Sequence, residues 1–409
     1  MGNRKFKGTQ LFDGYRMRGA EVVLITDETG VIADLIDVVN AGEGIEQVNG
    51  VLCPGFINCH CHLELSHLRG IIPEKTGLVD FILTVVNERH FDDAIILAAI
   101  ENAEDEMLRN GIVAVGDICN NTLTIPQKEK GRLPYHNFVE VSGFPPGVAE
   151  MRFERARTIL ETFRTSCKLQ AEREKGEAAS YKLQGTSLTP HAPYSVSKEL
   201  FRMIDAFPDN SLLTIHNQET NAENELFSAG TGDFIRLYKK MGIDISFFKP
   251  PCKSSLQTFL PYFTKAQTLI LVHNVATSAD DIKFQKQQTT NHKPQTYFCL
   301  CPNANLYITN TLPDLGLFLD QAQQIVLGTD SLASNHQLSI WEEIRTLQDR
   351  FPQIDLSTML TWATINGARA LQMDDTLGSF EKGKKPGVVL IEGLDNTHIT
   401  PDSSIRRIL

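Results

Sequence analysis

From about Gly50 onward, short runs of β-branched and apolar residues alternate with longer stretches whose apolar positions recur at helical spacing. The pattern predicts strands at 51–62, 112–117, 137–141, 187–191, 212–216, 269–273, 296–300 and 325–330. Helices are predicted between them at 92–110, 150–170, 198–207, 233–241, 279–286 and 340–350. The 92–110 segment opens on Asp92-Asp93, keeps apolar residues at i, i+3 and i+4, and closes on Asn110-Gly111, a cap at each end. Eight strands alternating with helices predict an α/β fold of the (β/α)8 TIM-like barrel type.

The ends read differently. Glu21-Val-Val-Leu-Ile-Thr26, Val31-Ile-Ala-Asp-Leu-Ile36 and Gly387-Val-Val-Leu-Ile391 are short strands without intervening helices. They predict a small β-sandwich domain built from both termini, residues 1–52 and 377–409, around a catalytic barrel at 53–376. The polar segments 170–182 and 285–293 read as solvated loops.

Composition narrows the function. The 409 residues are 42% hydrophobic and 22% charged, inside the range of folded globular chains. The 39 Lys and Arg against 50 Asp and Glu give a formal charge of −11, and the basic residues are scattered rather than striped. Nucleic acid and anionic membrane are therefore excluded as expected partners. No apolar run nears the roughly 20 residues of a membrane helix, and the first residues lack the apolar stretch of a secretory signal. Eight cysteines in so long a chain do not resemble a secreted disulfide framework, which predicts a cytoplasmic protein.

In a barrel of this type the reactive groups lie at the C-terminal ends of the strands. The first predicted strand ends in His60 and His62, the fourth in His191, the fifth in His216, the sixth in His273 and the eighth in Asp330. Any one of these is more simply a buried or capping residue; their joint placement at one rim favours a site. His60 and His62 are two apart on a strand and so share a face. With His216 and Asp330 they form a mixed nitrogen and oxygen set suited to Zn²⁺ or Fe²⁺. Glu219, three residues after His216, is placed to carry protons between water and a substrate ring nitrogen, whereas Glu223 and Glu225 fit the start of a helix.

Cys59 and Cys61 alternate with the two histidines and point the other way. A four-cysteine zinc site with Cys299 and Cys301 is the competing reading, but a C-x-C pair is not the usual structural spacing, and packing is preferred. His62-Leu63-Glu64 imitates the His-x-Glu of another class of zinc deaminase. The second half of that signature is absent, because Pro251-Cys252 is followed by Lys-Ser-Ser. Glu64, on the same strand face as His62, is left as a substrate-contacting candidate or a surface acceptor.

Pro54-Gly-Phe-Ile-Asn-Cys-His-Cys-His62, Thr189-Pro-His-Ala-Pro-Tyr-Ser195, His216-Asn-Gln-Glu219, Val272-His273, Cys301-Pro-Asn-Ala-Asn305 and Gly328-Thr-Asp-Ser-Leu-Ala-Ser-Asn335 resemble the amidohydrolase superfamily. Within it they are most similar to the cytosine deaminase, triazine hydrolase and S-adenosylhomocysteine deaminase branch, and His62-Leu-Glu-Leu-Ser66 resembles the aminofutalosine deaminases. The resemblance implies metal ligands at His60, His62, His216 and Asp330, proton transfer and water orientation by Glu219 and His273, with Asp330 as a proton acceptor, and substrate contact at His191. It implies one divalent ion, Zn²⁺ favoured and Fe²⁺ the alternative, because the fourth strand offers no lysine for a second. It also implies a homodimer acting on a small-molecule substrate. The segment after the first strand lacks the Trp and Pro-x-Glu of nucleoside deaminases, leaving Glu88 as the substitute carboxylate for ribose.

The expected activity is hydrolytic deamination of an amino-substituted aromatic heterocycle, first a 5′-substituted adenosine of the S-adenosylhomocysteine, methylthioadenosine or aminofutalosine type. Hydrolysis of another ring C–N or C–Cl bond, in a pterin, guanine, cytosine or triazine, is the alternative. A non-catalytic scaffold would be expected to have lost ligands or proton carriers, and none is missing.

Overall fold

The computed structural model describes residues 3–173, 185–289 and 294–409. Eight parallel strands form two four-stranded sheets. One orders Phe56–Cys61, Ile112–Cys119, Tyr135–Val141 and Gly185–Pro190; the other orders Leu212–Asn217, Thr268–His273, Gln295–Leu300 and Ile325–Leu327. The sheets meet along both outer edges. Thr329 and Asp330 donate their backbone N–H groups to the His60 carbonyl at 3.1 and 3.0 Å, and His216 donates its own to the His191 carbonyl at 3.0 Å.

Helices cover the outer faces because their apolar stripes demand it. On helix Asp93–Arg109, Ile96, Ile100, Ala103 and Met107 fall on one side and join the core cluster that holds Val115 and Cys119 of the second strand. Each fully buried Ile there contributes roughly 1.5–3 kcal/mol. Helices Ala149–Arg173 and Ala279–Thr289 run further than expected and absorb the first residues of both polar segments. Gln285 lies on the inner face of its helix, one turn from buried Ile282, and donates to Thr296 Oγ1 at 3.1 Å, so it is not a loop residue. Residues 174–182 and 290–293 of those predicted loops lie outside the described residues.

The strand expected at 51–62 is two strands. Val51–Pro54 pairs antiparallel with Val388–Glu392, and only Phe56–Cys61 enters the parallel sheet. Gly55 is the joint. A Cβ there would fall 2.2 Å from Val113 Cγ1 and 2.8 Å from the Pro386 carbonyl, so the close approach requires glycine. Val51–Pro54 belongs to a five-stranded sheet drawing on both termini, with Gln10–Phe12 and Met17–Arg18 on one side and Val388–Glu392 and Ser404–Arg407 on the other. A second sheet holds Arg4–Lys7, Val22–Thr26, Ile32–Asp37 and Ile45–Gln47. Period-two alternation lets Val51–Pro54 serve two cores: Leu52 joins Phe6, Leu24 and Leu390, while Val51 and Cys53 join the main core.

The eighth strand stops at Leu327, short of the expected end at Asp330. Gly328 and Thr329 carry the chain across the rim, and Asp330 sits at φ +56°. Among the described residues no helix is long and apolar enough to cross a membrane.

Candidate metal and catalytic site

The first parallel strand is buried along its whole length, and its end delivers two imidazoles inward. His60 is fully buried and His62 nearly so. His62 lies just past the strand, held by the next residue: Leu63 N–H donates to Asp117 Oδ1 at 2.8 Å, and Asp117 is paired with buried Lys128 at 2.5 Å. His62 Nε2 lies 3.2 Å from His60 Nε2 and 3.2 Å from His216 Nε2. His216 donates Nδ1–H to the His191 carbonyl at 2.8 Å, which fixes its tautomer and leaves the Nε2 lone pair facing the cluster.

Asp330 completes the set, with Oδ1 3.6 Å from His60 Nε2 and 3.4 Å from His62 Nε2. Its Oδ2 accepts from Ser334 Oγ at 2.6 Å, which orients the carboxylate. The left-handed backbone of Asp330 is matched at His273, at φ +74°. With Gln218 at φ +47° and Asn274 at φ +62° beside them, these non-glycine residues at one rim mark stored backbone strain at the site.

Electrostatics sort the donors. Burial holds His62 well below the usual imidazole range and lowers His216 to about 4, so both are neutral at pH 7. Burial pushes the Asp330 carboxyl upward, but its interactions with the His60, His62 and His273 imidazoles outweigh that and hold it well below the usual carboxylate range. Three imidazole nitrogens converging at such distances cannot all satisfy one another by hydrogen bonds, because each contact needs a proton that one ring alone supplies. A divalent cation satisfies all three and the carboxylate. His60, His62 and Asp330 offer ligand atoms within 4.8 Å of one another, as do His60, His216 and His273.

Beside this cluster, Glu219 Oε1 lies 3.8 Å from His273 Nε2. Burial first, and then the charges of Asp330 and Glu223, push the Glu219 carboxyl well above its ordinary value. Asn305 Nδ2 donates to His273 Nδ1 at 3.0 Å, placing the ring proton on Nε2, toward Glu219. Glu223 lies in the first turn of helix Asn221–Ala229, as expected for a carboxylate at a helix start, and accepts from Gln218 N–H at 2.9 Å.

A cavity of about 440 Å³ opens over these groups. His62, His191, His216, Glu219, His273 and Asp330 line its polar end; Leu78, Phe81, Ile82, Phe144, Tyr238 and Ile243 line an apolar lobe. His191 is in the wall, its Nδ1 2.6 Å from Ser195 Oγ. Glu64 also lines the cavity, but from the 3-10 helix Leu63–Leu68 rather than a strand, and it is not at the surface. Its Oε2 accepts the N–H groups of Asn120 and Asn121 at 3.0 and 3.2 Å. Burial raises its carboxyl to about 7 against the opposing charge of Arg89. Glu88 is not brought to the cavity. It ends helix Leu78–Glu88 with its side chain in solvent, and the helical turn presents Arg89 instead.

The cysteines stay out of the chemistry. Cys59 Sγ faces the Gly367 carbonyl at 3.8 Å, and Cys59, Cys299 and Cys301 share an apolar cluster with Ala304 and Ala368. Burial pushes the thiols of Cys59, Cys61 and Cys301 well above the usual range, and among the described residues no cysteine joins a group able to hold a metal. Sequence reasoning missed Glu140, one residue before the end of the third strand and a lining residue of the cavity. The strand-end test that found the histidines would have found it had it been applied to that strand. Asp117 and Lys128, which act on His62 through Leu63, left no comparable signal.

The sequence model of the Amidohydrolase family matches residues 51–407. The chain is 27% identical over 342 residues to the adenosine deaminase of Helicobacter pylori, covering 82% of this chain and 78% of that protein. It is 27% identical over 360 residues to the aminodeoxyfutalosine deaminase of a Nitratiruptor species, covering 85% and 81%. Among solved structures, its fold is similar to that of Helicobacter pylori aminofutalosine deaminase in complex with methylthio-coformycin. The TM-score is 0.76 at 22% identity over 97% of this chain and 93% of that one.

Proposed function

The chain belongs to the amidohydrolase family and is a hydrolase of carbon–nitrogen bonds, and from that premise we propose that it deaminates a 5′-substituted adenosine. In this reading the edge contacts of the two parallel sheets close a (β/α)8 barrel at 53–376, and residues 1–52 with 377–409 form the composite β-sandwich domain. The observation that carries the activity is the joint position of Glu219 and His273 against the His60, His62, His216 and Asp330 cluster. The deaminase names of the relatives and the apolar lobe, which suits a 5′ substituent, support the substrate class.

His60, His62, His216 and Asp330 would hold one ion; three nitrogens and one oxygen favour Zn²⁺, with Fe²⁺ the alternative. When bound, such an ion supplies Lewis acidity that lowers the pKa of water toward about 7. Asp330, ionised in the folded protein, accepts a proton from the attacking water. Glu219, held protonated by burial, donates to the ring nitrogen as the ring carbon bearing the amino group becomes tetrahedral. It then takes up the hydroxyl proton of that intermediate, passes it to the amine that leaves as ammonia, and regains its own proton from Asp330. His273, with Nε2–H facing Glu219, orients the water. Glu64 and His191 contact the substrate from the cavity wall.

Ammonia release across a panel of adenosines, guanine, pterins, cytosine and triazines, beside metal analysis and with Asp330→Ala as control, tests the proposal. Release from adenosines with a 5′ substituent is expected to dominate. Turnover confined to a pterin, guanine, cytosine or triazine would replace it with the alternative reading.

A further inference from the structure

Glu219 and His273 approach to 3.8 Å from two different strands, at a point where strand pairing no longer fixes them. Asn217 faces His273 in the paired strands Leu212–Asn217 and Thr268–His273. Beyond that pair both chains leave the sheet through left-handed residues, Gln218 at φ +47° and Asn274 at φ +62°. Non-glycine residues hold such a conformation only where their surroundings over-determine it.

Gln218 gathers those surroundings. It is fully buried, and its side chain is not part of the cavity wall. Its backbone N–H donates to Glu223 Oε1 at 2.9 Å, and its carbonyl accepts from Ala276 N–H at 2.8 Å. Its side-chain Oε1 accepts from Thr277 Oγ1 at 2.8 Å, while Nε2 donates to Asn224 Oδ1 and Asp281 Oδ2, each at 3.0 Å. Glu223 and Asn224 lie on helix Asn221–Ala229, directly after Glu219; Ala276, Thr277 and Asp281 follow His273 in the chain. One residue therefore ties the segment that carries Glu219 to the segment that carries His273. An amide suits the place because one end accepts from a hydroxyl while the other donates to a carboxylate. A carboxylate there would set an oxygen against Asp281, and an apolar side chain would offer Thr277 no acceptor.

We infer that Gln218 is a positioning residue for the proton transfer, holding Glu219 in place against His273 without touching the substrate. The inference rests on the proton-carrying role proposed for Glu219 above. Its force comes from the sensitivity of such steps to geometry: a displacement of about 1 Å at a reacting group costs on the order of 10²-fold in rate.

The test measures kcat, KM, metal content and the unfolding midpoint for the wild-type holoenzyme, Gln218→Met, Thr277→Val and Glu219→Gln, and for Gln218→Met combined with Glu219→Gln. The substrate is the 5′-substituted adenosine that the wild type turns over fastest. Gln218→Met is expected to lower kcat by roughly 10- to 100-fold at unchanged metal content, as for groups that orient a reacting residue from behind. KM should stay within about threefold, because no contact with the substrate is removed. Thr277→Val cuts one tie and should fall between the two; it also serves if the Met variant does not fold. In the Glu219→Gln background the Met substitution should change the residual kcat by less than about threefold, since the group it positions no longer carries protons.

Wild-type kcat in both single variants, whatever their unfolding midpoints, would reduce Gln218 to a structural residue and overturn the inference. Equal fold-losses with and without the Glu219 carboxyl would overturn it as well, because Gln218 would then act elsewhere in the site. Loss of metal in Gln218→Met would overturn it in favour of an effect on His216. Each of these leaves the deaminase reading standing. No ammonia from any 5′-substituted adenosine with the wild type, or full turnover in Glu219→Gln, would remove that reading of Glu219 and this inference with it.

Discussion

His216 points its Nδ1–H at the backbone carbonyl of His191, 2.8 Å away, and so presents only a lone pair to His60 and His62. A side chain thus takes its protonation state from the main chain of the neighbouring strand. That arrangement presents His216 Nε2 as a free lone pair, ready for the ion proposed above. His216→Ala should therefore lose the ion, not merely slow the reaction: metal content measured on purified protein should fall from about one equivalent to well under half. A variant that retains stoichiometric metal would remove His216 from the ligand set.

Glu219→Gln is expected to keep its metal and lose turnover. The amide preserves shape but carries no proton between water and ring, a loss of roughly 10²- to 10⁴-fold in kcat. Metal analysis beside steady-state kinetics separates the two effects, and full turnover in this variant would sink the proton-transfer role.

Much of this site was legible because strand ends are legible. His60, His62, His191, His216, His273 and Asp330 each follow an apolar run, and each lines the cavity or the ligand cluster. What escaped depends on geometry that no spacing encodes. Gly55 splits one apolar run into strands of two different sheets, because packing against Val113 and Pro386 decides the break. Glu88 and Arg89 exchange roles by a single step around a helix, a rotation set by how Leu78 and Val79 pack.

The Lys128 and Asp117 pair predicts an effect at a distance. Lys128 is fully buried, reaching Asp117 Oδ2 at 2.5 Å and Asn137 Oδ1 at 2.7 Å, while the other oxygen of Asp117 holds Leu63 N–H beside His62. Lys128→Met leaves a buried carboxylate unpaired, expected to destabilise by roughly 3–5 kcal/mol. The loosened His62 should weaken metal affinity by about 10- to 100-fold, as for other groups that orient a ligand from behind. Chemical denaturation and a metal-competition titration measure the two quantities. Adding Asp117→Asn should restore much of the stability, since the amide oxygen still accepts from Leu63; an additive double variant would show that the pair is not coupled.

Glu343 gives the stability of the fold a pH dependence of defined sign. Its carboxyl is fully buried, with Oε1 accepting from Asn335 Nδ2 at 2.8 Å and Oε2 from Asn303 N–H at 2.9 Å. Burial raises it from 4.5 to about 8, an effect larger than the opposing hydrogen bonds. Between these values the folded chain binds a proton that the unfolded chain has released, so stability falls as pH rises. At about 1.4 kcal/mol per unit the fall amounts to a few kcal/mol, spread across pH 4.5 to 8. Glu343→Gln removes the titrating group while keeping an acceptor. Urea denaturation of the two proteins at pH 5, 6.5 and 8 should show the variant gaining on the wild type at each step upward. A constant difference across that range would mean that Glu343 is ionised in the folded protein at pH 5.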